Sequence, residues 1–442
     1  MDCVVYPTQG LNGVVTLPGD KSISHRALLF AAMANGESKI ENFLLAGVTK
    51  PMLDALEQFG VPWEIKGETL SVEGKGIGKW KDAGEVISCG NSATTIRLLA
   101  GAMAANQCAG ILDGSDGLRK RPMNRIVEPM QKMGVNIQST DGHAPLIIGR
   151  PSSPIKGMRY ELPVASAQVK TCLILSALAA NEASEFIEPA PSRDHTERML
   201  KSMGVDIQVA TRLEKNQRKV HITVNPLTQN LKSINMSIPS DISSAAFFIV
   251  AALITPNSQV TINRVGLNPT RIGLLEVLDR MGADCLRMNT FEMNGEPVGD
   301  LKAKHGSLNA CEVNGEVVVR MIDEFPIFGV AAAYAHGETV VSQAEELRYK
   351  ESDRITMLCQ ELTKIGVDVK EERDGFRVYG KGKIQGGEVE AHGDHRLAMA
   401  LMVAGLAAKE PVCVHGAEVV GESLPDFIPL LRSLGAEIIC KE

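Results

Sequence analysis

A short motif recurs six times along the chain and restricts what it can fold into: an apolar residue, then glycine, then valine or alanine. It reads Phe59-Gly60-Val61, Met133-Gly134-Val135, Met203-Gly204-Val205, Met281-Gly282-Ala283, Ile365-Gly366-Val367 and Leu434-Gly435-Ala436. The six glycines lie 69 to 84 residues apart, so the chain is a row of similar units. Each copy closes a stretch with apolar residues three and four apart, such as 124–133, 196–203 and 272–281. Glycine in the left-handed conformation stops such a helix, and the β-prone run behind it, as at 205–209, predicts a strand.

Every unit also carries an upstream helical stretch that is apolar nearly all round: 27–33, 96–105, 171–180, 245–254, 327–335 and 397–408. Helices of that kind are buried. Just before each stands a cap-forming or charged residue, Lys21, Asn91, Ser166, Ser240, Asp323 and Asp394, with the same period, and Pro326 suits a first helical turn. A single core rarely grows beyond about 250 to 300 residues, so 442 residues in six units predict two domains of three units. The expected division is 17–239 against 1–16 with 240–442, with chain crossings near 12–18 and 238–241. Helix N-termini gathered in this way attract anions.

Composition narrows the ligand. At 44% hydrophobic residues the chain buries cores and is not disordered. A net charge of −7 lacks the basic footprint of nucleic-acid binding, so an anionic small molecule must be held by local cations. The longest apolar runs, 172–180 and 245–254, fall short of the roughly 20 residues a membrane span needs. Residues 1–10 show no secretory pattern, and the nine cysteines, without a Cys-x-x-Cys pair, read as reduced thiols rather than a disulfide frame or zinc site. A cytoplasmic protein is expected, and a monomer, because nothing marks an interface.

The segment Pro18-Gly19-Asp20-Lys21-Ser22-Ile23-Ser24-His25-Arg26 sets an ammonium, hydroxyls and a guanidinium at a helix start, a pattern for phosphate or carboxylate capture. Taken alone, its ordinary reading is a capped helix with solvated charges. Gly90-Asn91-Ser92-Ala93-Thr94 repeats the arrangement, and Arg119-Lys120-Arg121 adds a basic cluster whose ordinary reading is a solvated run. Ser166-Ala167-Gln168 and Arg193-Asp194-His195-Thr196 open two more helices, and 345–354 is dense in charge. His392 and His395 lack further ligands for a metal, and Gly74-x-Gly76-x-Gly78 reads as a turn rather than a dinucleotide fingerprint.

Together these motifs carry a resemblance. Pro-Gly-Asp-Lys21-Ser22-Ile-Ser24-His-Arg26, Gly-Asn91-Ser-Ala93-Thr94, Arg121-Pro-Met, Ala-Ser166-Ala-Gln168, Arg193-Asp-His-Thr, Asn268-Pro-Thr-Arg271, Met-Ile-Asp323-Glu-Phe-Pro, Arg348-x-Lys350-Glu351-Ser-Asp-Arg354 and Asp394-His-Arg396 resemble, in order and spacing from about residue 7 to 430, the 3-phosphoshikimate 1-carboxyvinyltransferases, or EPSP synthases. The resemblance implies an α/β fold, an inside-out α/β barrel of two domains, each of three βαβαββ-like units, with the active site in the interdomain cleft. It implies transfer of the enolpyruvyl group of phosphoenolpyruvate to the 5-hydroxyl of shikimate 3-phosphate, without metal or organic cofactor.

Carried over residue by residue, it assigns Lys21, Ser22, Arg26, Ser166, Ala167, Gln168, Arg193, Asp323 and Lys350 to shikimate 3-phosphate. Lys21, Ala93, Arg121, Gln168, Arg354 and Arg396 go to phosphoenolpyruvate, and Asp323, Glu351 and Lys21 to catalysis. Where many relatives have Gly-Asn-Ala-Gly-Thr, this chain has Ala93, followed by Arg97-Leu98, which resembles the glyphosate-insensitive branch. A basic residue that the family carries near its last unit has no counterpart at Val420-Gly421-Glu422-Ser423. The alternatives are a UDP-N-acetylglucosamine enolpyruvyl transferase, against which the missing cysteine loop near residue 115 stands, and a non-catalytic anion-binding module on the same fold.

Overall fold

Six open four-stranded sheets, each with a buried helix, make up a mixed α/β protein in a computed structural model whose described residues are 1–214 and 217–441. Glu442, at the end of the second expected domain, lies outside the described residues. All six motif glycines have positive φ, from +77° at Gly60 to +112° at Gly435. Each follows an amphipathic helix: Lys50–Gln58, Asn124–Lys132, His195–Ser202, Gly273–Arg280, Arg354–Lys364 and Phe427–Ser433. A strand comes next in every case, as at Ile207–Glu214 and Asp368–Glu372.

The apolar helices run Lys21–Met33, Ala93–Asn106, Ala167–Ala177, Ile242–Ile254, Phe325–Tyr334 and His395–Gly405. All thirteen residues of Ile242–Ile254 are buried. Each helix begins before the apolar pattern does, and at four of them the residue just ahead is a side-chain cap for the otherwise unsatisfied N–H groups, whereas Phe325–Tyr334 starts on Phe-Pro without one. The Ser92 hydroxyl accepts from the Thr95 N–H, Asp241 from Ser243, and Asp394 from both Arg396 and Leu397. At the second and fourth helices the cap is therefore Ser92 and Asp241, one residue beyond the expected Asn91 and Ser240.

In every sheet a central strand pairs parallel with an edge strand and, in five of the six, antiparallel with one strand of a hairpin. Three sheets borrow a strand from far along the chain. Asn235–Ser237 lies parallel to Asn35–Glu41, Asn12–Thr16 lies parallel to Gln259–Gly266, and Asp2–Tyr6 enters the last sheet between Val412–His415 and Glu437–Lys441. Gly74 belongs to one of the hairpin strands, Thr69–Lys75, which corrects the expected turn: only Gly76 and Gly78 have turn-like positive φ. A Cβ on Gly74 would stand 2.3 Å from the Ala31 carbonyl oxygen, and one on Gly380, in the corresponding strand four units later, 2.3 Å from those of Ala332 and Ala335.

Contacts divide the chain into two compact units, Met1–Asp20 with Pro239–Glu442, and Lys21–Ile238. Each has its own apolar core built on three of the buried helices. In the unit Lys21–Ile238 the helices Ala93–Asn106 and Ala167–Ala177 pack so closely at Gly101 that a Cβ there would meet the Cys172 carbonyl oxygen at 2.4 Å. In the other unit the two crossing segments pair with each other: the Asp20 N–H donates to the Pro239 carbonyl and the Asp241 N–H to that of Pro18.

The cysteine expectation needs correction. Cys3 and Cys440 face each other across the antiparallel strands Asp2–Tyr6 and Glu437–Lys441 and form a disulfide, while the other seven cysteines are free. A pairing 437 residues apart depends on strand register that spacing does not reveal. No helix among the described residues is long and apolar enough to cross a membrane.

Candidate active site

In the unit Lys21–Ile238 three buried helix starts stand together. Lys21, Ala93 and Ala167 are their first residues, and Ser92 and Ser166 cap two of them. Lys21 is half-buried, whereas Ser22 and Ala93 are buried. Gln168 is held from both sides: its carbonyl oxygen accepts from Arg97 Nη1 at 2.6 Å and its amide donates to Thr94 Oγ1 at 2.9 Å. Arg97 also donates to the Pro122 carbonyl, next to Arg121. Arg193 Nη1 donates to Ser22 Oγ at 2.9 Å, joining the loop before His195–Ser202 to the first helix.

Arg26 is buried and works within the protein. Its guanidinium donates to Thr196 Oγ1 at 2.7 Å, Thr171 Oγ1 at 2.8 Å, and the Ser22 and Ala167 carbonyls, so it binds three helices together beneath the site. His25 plays a similar part. Its ring nitrogens lie 2.8 and 2.9 Å from the Lys21 and Val48 carbonyl oxygens, and burial pushes its pKa down to about 4, which keeps it neutral.

In the unit Met1–Asp20 with Pro239–Glu442 the centre is Arg354, a buried guanidinium holding three carboxylates. Nε donates to Asp394 at 2.8 Å, Nη2 to Glu351 at 2.7 Å, and Nη1 to Asp323 at 3.4 Å. Arg396 approaches Asp323 from another side, with Nη2 3.8 Å from the carboxylate and Nη1 3.4 Å from the carbonyl. Burial pushes the Asp394 carboxyl up, but Arg354 against it outweighs that and holds it below the ordinary range. Lys350 has the opposite problem: burial, with Arg354 nearby, lowers its pKa despite Asp323. His392 is bound to Glu361 at 2.7 Å.

Comparison with known proteins bears directly on this arrangement. The family described as EPSP synthase (3-phosphoshikimate 1-carboxyvinyltransferase) matches residues 5–431. The chain belongs to the EPSP synthase family. A 3-phosphoshikimate 1-carboxyvinyltransferase of Petrotoga mobilis is 44% identical over 439 residues, covering 98% of this chain and 99% of that one. One from Coxiella burnetii is 43% identical over 99% of this chain and 98% of its own. An EPSP synthase structure from Acinetobacter baumannii superposes with a TM-score of 0.85 at 39% identity, over 99% of this chain and all of the other. An enolpyruvyl transferase of Streptomyces tendae, at 17% identity and TM-score 0.75, is alike in fold.

As a member of the EPSP synthase family, the chain brings Lys21, Ser22, Ala93, Ser166, Ala167, Gln168 and Arg193 to adjoining helix starts of one unit, and Asp323, Glu351, Arg354 and Arg396 around one guanidinium cluster in the other. Sequence reasoning gave no place in the site to Arg97, Lys170 or Asp394. A signal for the first two existed. The three buried helices Lys21–Met33, Ala93–Asn106 and Ala167–Ala177 each carry a cation among their fourth to sixth residues, Arg26, Arg97 and Lys170, which an overlay of the repeats displays. Asp394 was legible as a helix cap but not as the partner of Arg354, 40 residues earlier.

Proposed function

We infer that this EPSP synthase family member transfers the enolpyruvyl group of phosphoenolpyruvate to the 5-hydroxyl of shikimate 3-phosphate and releases phosphate. It is thereby a cytoplasmic transferase of the shikimate pathway of aromatic amino acid biosynthesis. The observation that carries the mechanism is the single guanidinium of Arg354 touching both Glu351 and Asp323. Two carboxylates beside fixed cations suit a reaction that moves protons at two places.

In this reading Asp323 accepts the proton of the 5-hydroxyl as its oxygen bonds to C2 of phosphoenolpyruvate. Glu351, assisted by Lys21, delivers a proton to the methylene carbon. The tetrahedral adduct then loses phosphate, which carries away the proton held by Asp323, and a methyl proton returns to Glu351 as the enol ether double bond forms. Arg121, Arg354, Arg396 and Lys21 offset charge on the phosphate and carboxylate of phosphoenolpyruvate, with Gln168 and the helix start at Ala93. Lys21, Ser22, Arg26, Arg193, Ser166, Ala167, Gln168 and Lys350 bind shikimate 3-phosphate, with Asp323 at its 5-hydroxyl. One chain supplies every residue, so the enzyme works as a monomer, which light scattering checks.

The buried methyl of Ala93 supports a second element of the reading, weak inhibition by glyphosate. An added methyl at a packed anion site excludes an analogue longer than phosphoenolpyruvate while admitting the substrate. Phosphate release with both substrates, with and without glyphosate, tests the whole reading. Release that depends on both substrates is expected. Submicromolar inhibition at low phosphoenolpyruvate would refute the glyphosate element, and Ala93→Gly is expected to raise sensitivity.

A further inference from the structure

The unit Lys21–Ile238 contains a charged cluster that the reaction does not use. Lys170, on the third buried helix, lies 2.8 Å from Glu188 and 2.7 Å from Glu197, and none of the three is more than 4% exposed. Burial alone would strip the proton from such a lysine, but the two carboxylates reverse this and raise its pKa. Ion pairs this deep gain little net stability over well-packed apolar side chains, so stability alone is a poor reason for placing one here.

The connections of the cluster lead to the site. Glu188 closes the strand Ser184–Glu188, and its other oxygen accepts the hydroxyl of buried Ser192 at 2.5 Å. Ser192 directly precedes Arg193. On the far side, Thr196 takes a hydrogen bond from Arg26 and bonds Thr171, and Glu197 returns to Lys170. Arg193 is therefore fixed by buried polar anchors on both sides while its guanidinium reaches Ser22. Lys170 is also one turn beyond Ser166 and two residues from Gln168, on the helix whose start forms part of the site.

We propose that the buried Lys170–Glu188–Glu197 cluster, acting through Ser192, positions Arg193 for the phosphate of shikimate 3-phosphate, so that Ser192 is a positioning residue for one substrate only. This rests on the reading that Arg193 contacts that substrate. Ser192 and the cluster touch no reacting atom. Loss of the Ser192 hydroxyl frees the loop without removing any cation.

Steady-state kinetics of Ser192→Ala, Arg193→Ala and the double variant test the proposal. Ser192→Ala is expected to raise KM for shikimate 3-phosphate about 3- to 10-fold, the worth of one hydrogen bond, and to leave kcat and KM for phosphoenolpyruvate unchanged. In the Arg193→Ala background the same substitution is expected to add nothing, because the group it positions is gone. An equal change in both KM values, no change in either, or full additivity in the double variant overturns the proposal. If Arg193→Ala itself leaves KM for shikimate 3-phosphate untouched, the assignment of Arg193 fails, and the proposal with it. Lys170→Met leaves two carboxylates in the core and is expected to fold poorly, so Ser192→Ala is the variant that decides.

Discussion

At the scale of single residues, the arrangement around Arg354 separates turnover from binding. Asp323 stands against two guanidinium groups, and in the proposed mechanism these also serve the ligands, so its removal leaves cations in place for the anions while the hydroxyl loses its base. Asp323→Ala is expected to lower kcat by about 10²- to 10⁴-fold and to change either KM far less. Unchanged kcat sinks the assignment. Lys350 gives a pH test. Burial and the nearby Arg354 lower its pKa, so its ammonium is lost at a pH below the usual lysine range of about 10.4. As pH rises through that lowered value, KM for shikimate 3-phosphate is expected to climb about tenfold per pH unit. In Lys350→Arg the side chain stays charged, and this alkaline limb is expected to vanish.

At the scale of helices and strands, the site depends on how closely two helices approach. Gly101 lets Ala93–Asn106 lie against Ala167–Ala177, and the same pair carries Thr94, Arg97 and Gln168 at its open end. Gly101→Ala is expected to cost about 1–3 kcal/mol by overpacking and to reduce activity, whereas Gly84→Ala, exposed with nothing near its Cβ, stays within about 0.5 kcal/mol. Thermal unfolding and phosphate release measure both effects. Elements are also where the sequence was most legible. The glycine stops and buried helices followed from composition and period, because a C′ glycine and an all-round apolar helix are local facts.

What escaped the sequence was non-local. The borrowed strands Asn235–Ser237, Asn12–Thr16 and Asp2–Tyr6 lack a local cue for the sheet they join. Arg26 was legible as a cation one turn into a helix start, which suits an anion, but not as a link between helices. Only the fold reveals that Thr171 and Thr196 take up its donors.

At the scale of the whole molecule, the pairing of Asp2–Tyr6 with Glu437–Lys441 places Cys3 against Cys440. Titration of the denatured protein is expected to find seven thiols before reduction and nine after, and nine throughout would exclude the bond. The passages from one unit to the other have a different consequence. Asp20, Ser240 and Asp241 are buried, their backbones pair, and Arg271 donates to Asp20 at 2.7 Å and to Asp241 at 3.2 Å. These boundaries are not loose tethers. A protease needs several residues of free, extended chain, and it meets none there. Limited digestion of the native enzyme is therefore expected to spare both boundaries and to cut first in exposed loops, so the two units are not released as fragments.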